Sequence, residues 1–353
     1  MRIRHVFSTE RDDAGLPLAR RAVPRLVTLA RMTRIVRVQR TGGPEVLEFG
    51  EVEVPPPAPG EVQIRHTALG LNFIDVYYRS GLYPAALPMT PGQEGAGVIT
   101  AVGEGVVGFS VGQRVAYAGA LGAYADVRNL SAERLVHLPD FIDDVTAAAV
   151  MLKGMTADML LKRVQQTKPG DTVLFHAAAG GVGQLATQWA RALGATVIGT
   201  VGSRQKAALA ARHCHHVIVT SEGPWVEQVK ALTGGRGVDV VFDSVGKDTV
   251  PQSLEALRNR GLLVSFGQSS GKPAPLDLVA LGGLRSLFVT RPSLHGWTHA
   301  RAELEQSAAS LFAALQAGHV KPDAPRLFPL VEVAAAHAAL EGRQTTGSVV
   351  LRP

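Results

Sequence analysis

Residues 178 to 183 read A-A-G-G-V-G, between the apolar run T-V-L-F-H (172 to 176) and a segment of helical spacing. Side chains this small let a strand-to-helix turn bring backbone N–H groups against an anion at the positive end of a helix. In that reading Gly180 admits a pyrophosphate to the backbone and Gly183 lets helix and strand pack closely, while Ala178 stands where a first glycine is usual. A tight turn with no ligand would use the same residues, so the context has to separate the two. Three further strand–helix units follow, and the spacing then predicts a dinucleotide seated at Gly180 to Gly183.

The end of the next strand decides which dinucleotide. An NAD site places an acid about 20 residues beyond the loop to accept from the ribose 2′-hydroxyl. Here the stretch is G-T-V-G-S-R-Q-K (199 to 206), with no acid and with Ser203, Arg204 and Lys206. A carboxylate would repel a 2′-phosphate and this cluster attracts one, so the pattern points to NADPH. A solvated basic helix start is the plainer alternative, and it leaves the missing acid unexplained. D-S-V-G (243 to 246) and F-G-Q-S-S-G (266 to 271) fall after later strands, where an open parallel sheet binds its ligand.

Two other patterns imitate sites. G-Q-S-S-G (267 to 271) has the form of a hydrolase nucleophile elbow, but Lys272-Pro273-Ala274-Pro275 follows where that elbow needs a helix. His213-Cys214-His215-His216 contains metal-binding residue types, yet four adjacent residues do not converge on one ion as spaced ligands do. A surface turn explains them.

The elements that would position these residues fall into two modules. From Arg34 to about residue 140 short β-like runs (R-I-V-R-V, E-V-L-E-F, E-V-E-V) are punctuated by Gly and Pro, which predicts short strands and tight turns. From Asp144 an alanine-rich helical stretch leads into alternating apolar strands and helices, the signature of a doubly wound parallel sheet in an α/β domain. A long helix (300 to 317) and the ending G-S-V-V-L-R-P read as a return to the first module. The chain of 353 residues, with 46% hydrophobic and 19% charged residues, is long enough for two domains. One cysteine, Cys214, excludes an internal disulfide and any multi-cysteine zinc site, and it fits a reducing, cytoplasmic compartment. No apolar run is long enough to span a bilayer. The net charge of +6 is uneven: residues 1 to 31 carry +4, which leaves a nearly neutral body and little support for nucleic-acid binding. We read residues 1 to 31 as an extension, disordered or upstream of the true start at Met32.

With these motifs in place the chain resembles the zinc-free quinone oxidoreductases, the zeta-crystallin-like group of the medium-chain dehydrogenase/reductase superfamily. G-D-T-V-L-F-H-A-A-A-G-G-V-G-Q-L-A-T-Q-W-A-R (170 to 191), G-L-N-F-I-D-V-Y-Y-R-S-G-L-Y-P (70 to 84), D-S-V-G, L-V-S-F-G-Q-S-S-G and V-T-R-P-S-L (289 to 294) carry the resemblance. It implies a mostly β GroES-like catalytic domain (32–153 and 292–353), a Rossmann domain inserted at 154–291, and a homodimer. It also implies cofactor contacts at Asn72, Asp75, Tyr77, Gly181, Val182, Ser203, Lys206, Ser244, Phe266, Gly267, Ser269 and Arg343. Thr220 and Ala157-Asp158-Met159 depart from the aromatics that relatives often carry. P-G-Q-E-G-A-G (91 to 97) has Gln93 where zinc-dependent members have a histidine ligand, so no metal is expected. A quinone or enone accepts hydride into a delocalised anion that hydrogen-bond donors stabilise, which suits a metal-free site. The resemblance thus implies NADPH-dependent quinone reduction, with Asn72 and Tyr77 beside the acceptor and Asp75 holding the loop. An alkenal, enone or enoyl-thioester reductase, or an NADPH-binding protein with a nucleic-acid or structural role, are the alternatives.

Overall fold

The computed structural model describes residues 31–353. The expectation for the N-terminal extension therefore lies outside the described residues, apart from Arg31. The strands β1 (Arg31–Arg37) and β2 (Glu48–Val54) form an antiparallel pair. E-V-L-E-F was expected as a strand of its own, but Pro44 opens a 3-10 turn (Pro44–Val46) and only the following residues join β2. Proline presets the φ of a first helical position, which overrides the short apolar alternation.

Next come β3 (Glu61–Leu71), the helix α1 (Phe73–Arg79), β4 (Glu94–Val102), β5 (Arg114–Ala118), β6 (Val127–Ser131), β7 (Val136–His137) and α2 (Asp144–Asp158). The parallel region follows with β8 (Thr172–Phe175), α3 (Gly181–Ala192), β9 (Thr196–Val201), α4 (Arg204–Ala210), β10 (His216–Val219), α5 (Trp225–Leu232), β11 (Val238–Asp243), α6 (Val250–Ala256), β12 (Leu257–Ser265), α7 (Leu278–Arg285) and β13 (Phe288–Thr290). The chain ends with α8 (Leu294–Trp297), α9 (Arg301–Gln316), β14 (Arg326–Pro329), α10 (Val333–Glu341) and β15 (Val349–Arg352).

The six parallel strands lie in the order β10-β9-β8-β11-β12-β13, which reverses direction between β8 and β11. This is the doubly wound order whose switch point opens a crevice at the carboxyl ends of the strands. Strand β11 is buried along its whole length, as expected for a strand covered by helices on both faces. The second sheet runs β14-β15-β3-β4-β5-β7, with β6 also paired to β3, so the last strand of the chain sits inside the first module.

The expected boundary at 153/154 falls inside α2, which is continuous across it. That helix packs on β3, β4 and β5 on one side and on α3 and α9 on the other, so its alanine-rich surface is apolar all round. It runs on into a π-helical turn, Met159–Val164. Asp158 there is buried and accepts from Arg163 Nε (3.0 Å) and Ser307 Oγ (3.0 Å), while Ala157 and Met159 lie in the core. The departure at 157 to 159 thus serves the packing of α2 on α9.

Candidate functional site

The glycine loop caps β8. Gly180 is the N-cap of α3; the N–H groups of Val182 and Gly183 find no acceptor among the described residues, and that of Gly181 faces the Gly347 carbonyl. Two free donors at a helix N-terminus form a cradle for an anion. A Cβ at Gly183 would lie 2.4 Å from the Ala177 carbonyl oxygen and 2.8 Å from Ala178 Cα, so the third glycine is fixed by strand–helix contact. The unusual Ala178 also has a partner. Its methyl faces Gly199 on β9, where a Cβ would come within 2.8 Å of it; the missing volume has moved across to the neighbouring strand. The left-handed backbone of the turn falls one residue earlier, at Ala177 (φ 53°).

Beyond β9, Ser203 caps α4 with its hydroxyl free of any capping bond, and Arg204 and Lys206 follow in the first turn. Lys206 Nζ donates to the Arg343 carbonyl (2.8 Å). Burial, and then the Arg343 charge, lower the Lys206 pKa. Arg204, 85% exposed, pairs through Nε with Glu222 Oε1 at 2.5 Å. Glu222 comes from the turn after β10, so the acid missing from 199 to 206 is partly supplied from the side.

Two loops at the ends of β11 and β12 are bonded face to face. Ser269 N–H donates to the Ser244 carbonyl (3.1 Å) and Ser270 N–H to that of Val245 (2.9 Å). A Cβ on Gly267 would stand 2.7 Å from the Ser244 carbonyl oxygen, and Phe266 packs beside Phe175 on the core. Asp243 anchors the first: one oxygen accepts from the N–H groups of Val245 and Gly246 and from Thr249 Oγ1, the other from Ser253 Oγ, each at 2.9 Å. After Ser269 no helix begins until Leu278, and the nucleophile elbow is not formed. Across the crevice, the Tyr77 hydroxyl accepts from Gln268 N–H (3.0 Å), which brings α1 against this loop. Arg291 extends the contact through Tyr83 OH (3.1 Å) and Ser265 Oγ (3.2 Å).

Beneath α1 lies a buried polar cluster. Glu94 Oε2 accepts from Asn72 Nδ2 (2.9 Å) and Lys153 Nζ (3.1 Å), and Oε1 from Leu152 N–H (2.7 Å). Lys153 is 5% exposed and its stem lies under Gly181, linking this cluster to the glycine loop. Asp75 Oδ2 accepts from Asn72 N–H (2.9 Å) and Tyr124 OH (3.0 Å). Burial pushes the Asp75 carboxyl up to about 7 and the Tyr77 phenol up to about 12. From the C-terminal end, Gly347 N–H donates to the Ala179 carbonyl (3.0 Å), and Gly347 bridges Gly180.

The crevice therefore brings Gly180 to Gly183, Ser244, Phe266, Gly267 and Ser269 together with Tyr77, while Asn72 and Asp75 belong to the buried cluster beneath α1. Ser203, Arg204, Lys206 and Arg343 stand together at its β9 end. Lys153, Glu94, Tyr124, His337 and Glu222 were not singled out from sequence. Lys153 had a visible signal, one charge inside the apolar run V-M-L-K-G-M. In the His-Cys run, Cys214 is buried against Gly199 and His215 Nδ1 accepts from Val197 N–H, so the side chains diverge. Among the described residues no three His, Cys, Asp or Glu side chains group as metal ligands. No helix among them is long and apolar enough to cross a membrane.

A GroES-like module joined to a doubly wound dinucleotide fold defines the medium-chain dehydrogenase/reductase class. Residues 58–140 match the alcohol dehydrogenase GroES-like domain, and residues 181–313 match the zinc-binding dehydrogenase model. A quinone oxidoreductase of Pseudomonas aeruginosa is 49% identical over 325 residues, covering 91% of this chain and all of the relative. A 2-haloacrylate reductase of a Burkholderia species is 46% identical over 325 residues, covering 90% of this chain and 98% of that one. The solved structure of Escherichia coli quinone oxidoreductase complexed with NADPH superposes with a TM-score of 0.89 at 46% identity, over 91% of this chain and all of the other. The chain belongs to the quinone oxidoreductase family.

Proposed function

We propose that the protein is an NADPH-dependent quinone reductase. The observation that carries this reading is the joint presence of an anion cradle at Gly180 to Gly183, a 2′-phosphate cluster at Ser203, Arg204 and Lys206, and neutral hydrogen-bond donors at α1. The residues fit the cofactor: free N–H groups at Val182 and Gly183, no space for a Cβ at Gly183, and Lys206 and Arg343 crowding like charges that an anion would relieve. NADPH, when bound, supplies the hydride. Tyr77 accepts from Gln268 and has its own O–H left to donate to an acceptor oxygen. Its raised pKa keeps it a neutral donor, and it stabilises negative charge developing on that oxygen. Asn72 has one amide hydrogen committed to Glu94 and a second available. Ser244, Phe266, Gly267 and Ser269 would wall the nicotinamide end, and Asp75 holds the start of α1.

The domain division at 32–153 with 292–353 and at 154–291 goes with this reading, supported by the two sheets and by the return of β15 to β3. So does a cytoplasmic location, supported by one free buried cysteine. A homodimer is supported by β13, an open edge of the parallel sheet where Phe288 is 60% exposed, and by the exposed Leu278 (78%) and Val279 (81%) on α7. Light scattering is expected to give twice the 37.3 kDa chain mass, and a monomer mass would sink this part.

The 2-haloacrylate reductase relative favours a second reading, reduction of an activated alkene on the same scaffold. Steady-state NADPH oxidation with benzoquinone, phenanthrenequinone, an alkenal and 2-chloroacrylate separates the two. Quinone turnover is expected to dominate, and Tyr77→Phe to lower it by about tenfold to a hundredfold. Turnover confined to the alkenal or haloacrylate would replace the first reading with the second. No turnover despite tight NADPH binding would favour a binding role.

A further inference from the structure

The buried carboxylate of Asp75 has one oxygen with two donors and a second, Oδ1, with no partner, although the residue is wholly buried. A charge left in that state is costly, and a neutral acid is the usual resolution. The neighbouring bonds fix where the proton goes. Arg79 pairs with Glu341 on the surface side (Nη1 to Oε1, 2.6 Å), and the same Nη1 lies 3.2 Å from His337 Nδ1. A guanidinium only donates, so Nδ1 accepts and the neutral ring carries its hydrogen on Nε2. That Nε2 lies 3.2 Å from Tyr124 OH, which must accept there and donate onward to Asp75 Oδ2 at 3.0 Å. Oδ2 is therefore an acceptor twice over, from Tyr124 and from Asn72 N–H, and a proton on Asp75 can sit only on Oδ1. Because arginine does not give up a proton, the row cannot conduct one; it is a fixed line of donors.

We propose that Arg79, His337 and Tyr124 are positioning residues that fix Asp75 with its proton on Oδ1, and that the protonated Asp75 is the form competent in acceptor reduction. This rests on the reductase reading above. Charged and titratable groups face Asp75 from every element around it: Glu94 on β4, Lys153 on α2, Arg79 on α1, Glu341 and His337 on α10, Tyr124 before β6, Tyr117 on β5, and, through Tyr117, His66 on β3 (2.8 Å) and Arg128 on β6 (3.5 Å). Arg79 is balanced by Glu341 and Lys153 by Glu94. Counting Asp75 with the two ion pairs Arg79–Glu341 and Lys153–Glu94, protonated Asp75 leaves no net charge and ionised Asp75 leaves one negative charge beneath the site where an acceptor oxygen becomes negative, which opposes reduction. Arg128 stands further off, beyond Tyr117. Burial holds His66 neutral down to about 4 and His337, with help from Arg79, down to about 3. Burial pushes Asp75 to about 7, so it is the group that changes charge near neutral pH.

The test combines pH profiles of kcat/KM with benzoquinone and melting curves of the cofactor-free protein, from about pH 5.5 to pH 9, for the wild type, Asp75→Asn and Tyr124→Phe. The wild type is expected to lose activity with rising pH about a midpoint near 7. Asp75→Asn flattens that limb, and Tyr124→Phe, which removes a donor to the ionised form, raises the midpoint by about one unit. The sign for stability agrees. The folded state keeps the Asp75 proton to a higher pH than the unfolded chain, so the wild type loses stability as pH rises toward about 7, and Asp75→Asn loses less. A midpoint near 7 that persists in Asp75→Asn overturns the proposal. So does a Tyr124→Phe variant with a lower melting temperature and an unmoved midpoint, the pattern of a merely structural residue. If Asp75→Asn does not fold, Tyr124→Phe decides alone. If quinones are not turned over, the reductase reading fails, and the melting series of the cofactor-free protein still decides the protonation of Asp75.

Discussion

Replacing Gly183 with alanine is expected to weaken NADPH binding by at least about a hundredfold. The added Cβ would stand 2.4 Å from the Ala177 carbonyl oxygen, 2.8 Å from Ala178 Cα and 2.9 Å from Ala178 C. All three are backbone atoms, so no side chain can swing aside, and the first turn of α3 must move away from β8. Overpacking of this kind costs about 1–3 kcal/mol of stability, a modest fall in melting temperature. The larger loss is in binding, because the N–H groups of Val182 and Gly183 converge only while the turn is seated against the strand. Gly180→Ala separates the two causes: its Cβ would meet one protein atom, the Ala177 oxygen at 3.1 Å, and its φ of −82° is open to any residue, so a loss of binding there comes from the side chain's approach to the anion and not from a displaced backbone. Fluorescence titration with NADPH reads both. A Gly183→Ala dissociation constant within about threefold of the wild type would remove the loop from the binding site.

Lys206→Ala is expected to reduce the preference for NADPH over NADH by about tenfold to a hundredfold, the usual worth of a charge-assisted bond to phosphate. Lys206 is half-buried beside Arg343, with its pKa lowered by burial and then by that neighbour. A phosphate dianion relieves both penalties, whereas a ribose hydroxyl relieves neither. Arg204→Ala should have a smaller effect, since its guanidinium is 85% exposed and already engaged by Glu222. The ratio of kcat/KM for the two cofactors measures this, and a ratio unchanged in Lys206→Ala would move the specificity elsewhere. Lys206 also holds the Arg343 carbonyl. Titration with NADH therefore serves as the control for any change in that bond.

Local patterns were legible where one residue type has one geometric use. The small residues from Ala178 to Gly183 predicted the loop and its helix, and S-R-Q-K located the cluster after β9. Periodicity misread E-V-L-E-F, because a single proline decided its backbone. The buried cluster was harder. Glu94 and Lys153 are 59 positions apart, and His337 reaches Tyr124 across 213. Pairings of that range depend on how distant segments of one module fold against each other, which no local spacing encodes. The reciprocal exchange of Ala178 and Gly199 belongs with these, since it becomes visible only when β8 and β9 lie side by side.

The strand that completes the first module comes long after its neighbour in the chain. Leu351 pairs with Leu69 and Val349 with Leu71, so β15 enters the middle of a sheet whose neighbouring strand β3 left the ribosome nearly three hundred residues earlier. The same C-terminal stretch sets Gly347 on Ala179 and Gly180 at the glycine loop. During synthesis β3 must wait with an unpaired edge, and a chain cut short by about ten residues has neither a closed sheet nor a finished cofactor loop.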